Sequence, residues 1–569
     1  MRGDLVSETL SNLLDEASSL ANQGLFDSAS AILTKAIAVA PSRDDLFVKR
    51  AWLDHQAGKS AIARMQLIDL NLSGVVAIEA LILDLEIDAH ENMDVNNNPA
   101  CEEKAKTVIP LVFKLFPWGE IHERFVLVCR DLNLSNLVLS FLRDWLQEYG
   151  VSKKVLVRAG EILLELEEAN SAFKMLNYIW EQPEVQKEMA MLLGPRTNVI
   201  ADNPKRDFEI LDKIDTAFDA KEQELSLLEL PSGEIDPKSV NVLYVGSSIV
   251  GAGLNRDNDM ANHYKLSADL VGVNCRKWLS ADLVVPQWTL PSRESLSDAR
   301  IKFVEEIANT KPDLLILDAC TLPTGRGISP KFINKLKNKY KFRVAGLLRD
   351  PLKYVQQNIE AWASVSDTLI CGDPSVYFVK EKIKYLYEKA LFLPVPAFHD
   401  PFVPQKTQPR RELVFIGSTF NVHRSMLLSM LGASSDIFID LIIGDKRRKL
   451  VPNESSYAEI LGSSRGVLNI SGHHPSEDGH LVTGRVWETI ACRSLLFEQR
   501  NAGTEKFFTP WRHFLPWRKP ADIIHYWRVI KRHNNYRVRI ANEGYQWASQ
   551  HYSPRAFWDS LVNHALRNL

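Results

Sequence analysis

The sequence predicts an α/β protein in which two doubly wound parallel-sheet domains follow an all-α solenoid of helical repeats. Three observations point there. Residues 1–195 read as helical and repeat at a spacing of 34 residues, with Gly24 answered by Gly58, the spacing of stacked helix–turn–helix units. From Ser239 onward, short apolar runs alternate with helical stretches. Strands separated by helices pair in parallel, because parallel partners need a crossover. The strand–glycine start of such a domain occurs twice, at Val242 and at Val414.

Composition bounds the function. A chain of 569 residues has room for three or four domains of ordinary size. Charged residues make up 24% and the sequence pI is near 6.6, so the chain as a whole carries no nucleic-acid signature. The six cysteines (101, 129, 275, 320, 371 and 492) form no Cys-x-x-Cys pair, which suits buried thiols in a reducing compartment. No run approaches eighteen uninterrupted apolar residues, and MRGDLVSETL lacks the apolar segment of a signal peptide. The expectation is a cytoplasmic protein.

In the helical part, QGLFDSASAILTKAIAVAP places Gly24, Phe26, Ala29, Lys35, Ala36 and Pro41 where the tetratricopeptide pattern has Gly, Tyr, Ala, Lys, Ala and Pro. Gly58 and Ala63 repeat it. Small residues let paired helices approach, and Pro ends the second helix of a pair. Later units are looser: EEKAKTVIPLVFKLFP ends in Pro117, and VLVRAGEILLELEEANSAFKMLNYIW reads as a further helix pair. Such a solenoid offers a concave surface for a partner; the alternative is that it props up the rest of the chain or pairs two copies. Residues 196–238, with Pro204, Pro231, Gly233 and Pro237, read as a linker carrying one bridging helix near 206–228.

Residues 239–400 form the first sheet domain. SVNVLYVG is a buried strand, and the loop after it carries Gly246, Gly251 and Gly253. Arg256 stands where a dinucleotide fingerprint needs its third glycine, so a nicotinamide cofactor is not expected. The runs PDLLILDAC, FRVAGLLRDP, DTLICG and ALFLPVP give further strands, with helices at 295–309, 330–338, 354–363 and 376–389 between them. Asp318 and Asp350 fall at carboxyl ends of strands, where this architecture places chemistry; a helix N-cap is the alternative for either.

Residues 401–569 form the second domain. ELVFIGSTFNVHRSM gives a strand, the Gly417-Ser418-Thr419 turn and a helix bearing His423 and Arg424. IFIDLIIGD is the next strand. From Tyr457 to Phe508 come a helix, a strand at 466–470, a polar loop with His473, His474 and His480, a helix opening near Gly484, and a strand at 494–498. The loop lies at the carboxyl end of its strand, where open parallel sheets bind ligands. A helix start presents unpaired N–H groups to a phosphate, and Arg485 adds a forked cation. Glu488, one turn on, can face the same loop and accept from two vicinal hydroxyls. Thr483, Gly484, Arg485 and Glu488 are thus the parts of a nucleoside-diphosphate site. The bland alternative is an exposed Arg–Glu pair worth little. The aromatic–basic run Trp511, Arg512, Phe514, Trp517 and Arg518 reads as packed core with an exposed rim, so membrane association is at most peripheral.

The run YAEILGSSRGVLNISG…GRVWETIACRSLLFEQ resembles the carboxyl-terminal half of GT-B glycosyltransferases, in particular the group similar to spore-maturation CgeB proteins. Their Arg-x-x-Glu-x-x-Ala-Cys-Gly-x-x-Leu pattern falls on Arg485, Glu488, Ala491 and Cys492, with Arg493 in place of the Gly. The Glu-x7-Glu group of these enzymes has an earlier Glu where this chain has His480. The resemblance extends over roughly 240–560 and implies two facing Rossmann-like domains. It further implies transfer of a sugar from a nucleotide-diphosphate donor to a hydroxyl, without a bound metal or cofactor. It places Gly417, Ser418 and the Gly251 loop on the cleft, matches Asp350-Pro351 to a dipeptide of the family, and leaves Asp350 and His474 as candidate bases. The acceptor, a protein or glycan, is expected on the helical repeats. The competing reading is a binding protein of the same fold that works through its solenoid alone.

Overall fold

The computed structural model describes residues 2–22, 25–68, 72–91, 99–132, 134–149, 152–166, 171–172, 176, 204–220, 235–247, 259–280, 296–318, 328–348, 362–372, 389–405, 409–417, 422–434, 437–443, 453–471 and 482–567. Helices occupy the first part, from Arg2–Asn22 through Phe26–Val39, Asp44–Gln56 and Ser60–Ile68 to Lys153–Glu165. Phe26, Ala29, Ala36, Ala51 and Ala63 are buried between them. Gly58 does something else. It sits in the turn between Asp44–Gln56 and Ser60–Ile68 at φ 80°, a left-handed backbone that glycine adopts without strain. Gly24 lies outside the described residues. The bridging helix runs Pro204–Asp219.

Two all-parallel sheets follow. The first comprises β1 (Asn241–Ser247), β2 (Asn274–Ser280), β3 (Leu314–Asp318), β4 (Arg343–Leu348), β5 (Thr368–Cys371) and β6 (Ala390–Phe392), in the order β2-β1-β3-β4-β5-β6. The second comprises β7 (Arg411–Gly417), β8 (Ile439–Ile443), β9 (Ser464–Asn469), β10 (Leu495–Gln499) and β11 (Leu515–Trp517), ordered β11-β10-β9-β7-β8. Central strands such as LLILD are buried throughout, as strands covered on both faces must be. Both order reversals, at β1/β3 and at β7/β9, place a crevice at the carboxyl ends of those strands.

Two strands escaped the sequence reading. β2 is an edge strand with Arg276 and Lys277 exposed and Cys275 buried, so it lacks the continuous apolar run that marks its neighbours. β11 has three residues, with Pro516 in the middle, tolerated because an edge strand need not donate on its outer side.

The two sheets share a core. One buried cluster joins Val242, Tyr244 and Ile316 of the first sheet to Val414, Val467 and Trp487 of the second, and to Trp558 and Leu561 of the last helix. That helix, Pro554–Leu566, packs on the helix Asp259–Val271 and on β3 and β4. Trp558 Nε1 donates to Ser267 Oγ at 3.1 Å. Asn563 holds the backbone of Ile235 through both its amide groups, at 3.1 and 3.2 Å. In the aromatic–basic run, Phe514 and Trp517 are fully buried, and Arg512 is tied to Glu543 and lies over Phe218. Phe514 and Trp517 are therefore core, while Trp511 is half-buried against Tyr526. Among the described residues no helix is long and apolar enough to cross a membrane, and no disulfide joins Cys101, Cys129, Cys275, Cys371 and Cys492, all of them buried.

Candidate functional site

The site is built where β9 and β10 end. Asn469 and Glu498 are register partners on these two strands, and both are fully buried. Asn469 Nδ2 donates to Glu498 Oε2 at 2.7 Å, and Thr504 Oγ1 donates to Oε1 at 3.2 Å. Burial pushes the Glu498 carboxyl up to about 8, against the pull of those donors and of Arg485. At neutral pH this acid is therefore mostly protonated, which is how a carboxyl survives in an apolar sheet. Asn469 Oδ1 faces the other way and accepts from Arg485 Nη1 at 3.1 Å and Thr483 Oγ1 at 3.3 Å.

Arg485 is thereby aimed. Its guanidinium lies over the Phe415 ring, 5.6 Å from the centroid, and any side chain at position 417 would meet its Nη2 at 3.2 Å. Gly417 is thus the residue that lets Arg485 rest against the end of β7. Among the described residues the buried Arg485 Nε–H has no hydrogen-bond partner. Arg424 stands close by, with Nη2 donating to Ile470 O at 2.9 Å. Burial first, and the Arg485 charge second, hold it down to about 10. Two guanidinium groups thus concentrate positive charge at the crevice. The helix Gly484–Ala491 starts there without a side-chain cap, because the Thr483 hydroxyl goes to Asn469 instead. An uncapped helix start next to two cations is an arrangement whose electrostatics favour an anion.

Glu488 turns elsewhere. Its Oε1 faces His263 Nε2 at 3.1 Å and its Oε2 accepts from the Tyr457 hydroxyl at 2.8 Å. His263 belongs to the helix Asp259–Val271 of the first sheet domain, so this carboxylate joins the two halves. Tyr457 also lies beside Arg485; burial raises its phenol well above the ordinary range, the Glu488 charge adds to that, and Arg485 opposes it. Arg485 and Glu488, expected on one face toward the loop, therefore diverge, with the Tyr457 hydroxyl between them. This is no exposed ion pair: Glu488 is 7% exposed.

The helix ends in a Schellman turn. Ser494 N donates to Thr489 O and Arg493 N to Ile490 O, with Arg493 at φ 56°. Glycine suits this position because the left-handed backbone costs it nothing. Arg493 keeps the same turn and bears the strain.

Of the residues singled out from sequence, Thr483, Gly484, Arg485 and Gly417 come together around Asn469 and the end of β7, and Glu488 lies one helical turn away. Ser418, Gly251, Asp350 and His474 lie outside the described residues. Asp318 is placed: its carboxylate is fully buried and accepts from the Tyr244 hydroxyl at 2.8 Å. Asn469, Glu498, Tyr457, His263 and His399 were not singled out. A lone carboxylate closing the apolar strand SLLFEQ was the one legible signal among them. Among the described residues, no group of three or more His, Cys, Asp or Glu side chains is arranged to hold a metal ion.

Comparison with known proteins gives a partial match. No curated protein sequence matches the chain. The HepE protein of Anabaena, solved in complex with UDP, is similar over 58% of this chain and all of its own length, at 8% identity and a TM-score of 0.39. A glycosyltransferase of Rickettsia africae is similar over 58% of this chain and 99% of its own, at 9% identity and a TM-score of 0.39. An O-GlcNAc transferase mutant of Thermobaculum terrenum is similar over 98% of this chain and 96% of its own, at 11% identity and a TM-score of 0.35. Residues 408–563 match the family of glycosyl transferase-like proteins, and that segment contains the whole second sheet together with Gly417, Thr483, Gly484, Arg485 and Glu488.

Proposed function

We propose that the chain is a glycosyltransferase that moves a sugar from a nucleoside-diphosphate donor to an acceptor hydroxyl. The observation that carries this reading is where the family match falls. It covers an uncapped helix start, Thr483 to Arg485, flanked by Arg485 and Arg424 at the carboxyl ends of β7 and β9. The diphosphate would lie against the first-turn N–H groups and Arg485. Charge growing on the leaving oxygen would be met by groups already fixed in place, which need no reorganisation as the bond breaks. Glu488 retains acceptor capacity beyond His263 and Tyr457 and would take the ribose hydroxyls. Gly417 and Ser418 border the donor, and the Gly251 loop faces it from the first domain.

Donor binding in this reading needs no metal or further cofactor, because cations and the helix dipole neutralise the diphosphate. Asp350 and His474 are the candidate bases. The helical repeats, read as tetratricopeptide-like, would hold a protein or glycan acceptor. The buried thiols suit a cytoplasmic setting. Arg493 preserves the turn of the family pattern, so this departure lends no weight to a protein that has lost catalysis. The test is hydrolysis and transfer assayed with a panel of nucleotide sugars, with and without chelator and with residues 1–195 deleted. Turnover of one donor in chelator, with transfer but not hydrolysis reduced by the deletion, is the expected result. A folded protein that binds and hydrolyses none of them overturns the reading.

A further inference from the structure

A buried chain of four side chains crosses from one sheet domain to the other. His399 Nδ1 lies 2.6 Å from the Asp400 carbonyl oxygen, His399 Nε2 lies 2.8 Å from His263 Nδ1, and His263 Nε2 lies 3.1 Å from Glu488 Oε1. Glu488 Oε2 accepts from Tyr457. His263, His399 and Glu488 are 2%, 3% and 7% exposed, so water does not interrupt the series.

Its protons can be counted. A carbonyl oxygen only accepts, so His399 Nδ1 carries a proton. Burial first and the neighbouring His263 second hold His399 down to about 4, so its ring is neutral above that and Nε2 is bare. His263 Nδ1 must then donate to it. If His263 were also neutral, its Nε2 would be bare and would face a carboxylate, acceptor against acceptor. The geometry is satisfied only when one more proton sits between His263 Nε2 and Glu488 Oε1, as an imidazolium–carboxylate pair or as two neutral partners. Either form removes the repulsion that a bare imidazole would bring to a buried acid.

We propose that His263 is a positioning residue for the sugar donor: the proton it shares with Glu488 fixes the carboxylate that takes the ribose, and does so from the opposite domain. This rests on the donor site described under the proposed function. The neighbouring residue supports the same seam, since Asn262 Nδ2 donates to Glu454 Oε1 at 2.6 Å. Two consecutive residues of one first-domain helix thus grip two different helices of the second. Other groups that face the pair are His399 on the connecting segment, Tyr457 and Glu454 on the helix Glu454–Gly462, Arg485 and Cys492 beside Glu488, and Asp259 on the helix of His263. Arg485 draws on the negative charge of this cluster, while Glu454 and Asp259 add to it. Without a donor at the place of His263 Nε2, Glu488 Oε1 loses its cross-domain partner.

The test is calorimetric titration of UDP, GDP and ADP into the full chain, for wild type, His263→Gln, His263→Leu and His263→Met. Gln keeps an N–H donor in the place of Nε2, whereas Leu and Met keep bulk without a donor. The expected result is that Leu and Met bind the preferred diphosphate about tenfold more weakly, while Gln stays within about threefold of wild type. A structural role alone would lower the melting temperature of all three variants and leave nucleotide affinity unchanged, which overturns the proposal. Should Leu fail to fold, Met against Gln still decides. No binding of any of the three diphosphates by folded wild type overturns the donor reading itself, and with it this role. Binding by wild type with equal affinity in the variants overturns only His263.

Discussion

The two parallel sheets put an acid at the same architectural place and use it in opposite ways. In the first, Asp318 ends β3 and accepts from the Tyr244 hydroxyl on the neighbouring strand β1. In the second, Glu498 near the end of β10 is wired through Asn469 to Arg485, so a buried acid supports a cation at the crevice. A strand end is only a location. The two ends differ in the partner each acid takes: a hydroxyl for Asp318, and for Glu498 a group with both a donor and an acceptor. Asn469 is such a relay, taking Arg485 on its oxygen and giving its amide to Glu498.

The largest effect that would break this comparison concerns Glu498. Its folded-state value, about 8, lies above the usual carboxyl, so the native state holds a proton that the unfolded chain has already lost. Stability is then full below the ordinary Glu range and falls as pH rises toward 8. Glu498→Gln copies the protonated form, and its stability relative to wild type should improve by on the order of 3 kcal/mol between pH 5 and pH 9. Denaturant melts at both pH values measure it, and parallel curves for the two proteins would mean Glu498 is charged throughout.

Next comes Arg485→Ala. A charge-assisted hydrogen bond is worth about 1.5–3 kcal/mol, so nucleoside-diphosphate affinity should fall roughly ten- to a hundredfold. Unchanged affinity by calorimetry would move the anion site elsewhere. Tyr244→Phe tests the other sheet. It leaves Asp318 short of a buried donor and should cost about 1–3 kcal/mol of stability while nucleotide affinity stays put; a loss of binding would show that the first sheet's acid also reaches the cleft. The smallest effect is at Arg493, whose left-handed backbone costs about 1 kcal/mol that glycine would not. Arg493→Gly should raise stability by that amount with activity unaltered, and a drop in stability would mean its side chain has partners that outweigh the strain.

What could be read in the sequence follows the same physics. β3, β4, β7, β9 and β10 announced themselves because strands covered on both faces must be continuously apolar, and the helix at Gly484 because it follows one. The glycosyltransferase reading came from that helix and agrees with the family match over residues 408–563. β2 and β11 hid because edge strands tolerate Arg276, Lys277 and Pro516. The partners of Glu488 were out of reach for another reason. His263 and His399 stand 225 and 89 positions away, and no local pattern links residues that meet only once both domains are folded. Gly58 was noticed for its spacing, but spacing does not say whether a glycine serves a helix contact or a turn; its positive φ does.

The last helix has a consequence for how the chain is made. Residues 554–566 cover part of the first sheet, with Trp558 bonded to Ser267 and Asn563 clasping Ile235. They are synthesised after β6 and the whole second sheet. At roughly 5–20 residues per second, β6 waits about ten to thirty seconds for that cover, with β3, β4 and the helix Asp259–Val271 incompletely clothed. An apolar surface left open for so long invites chaperone holding or early aggregation. Slow-translating stretches within residues 411–551 should lower soluble yield, while speeding that same interval, with no change of amino acid, should raise it.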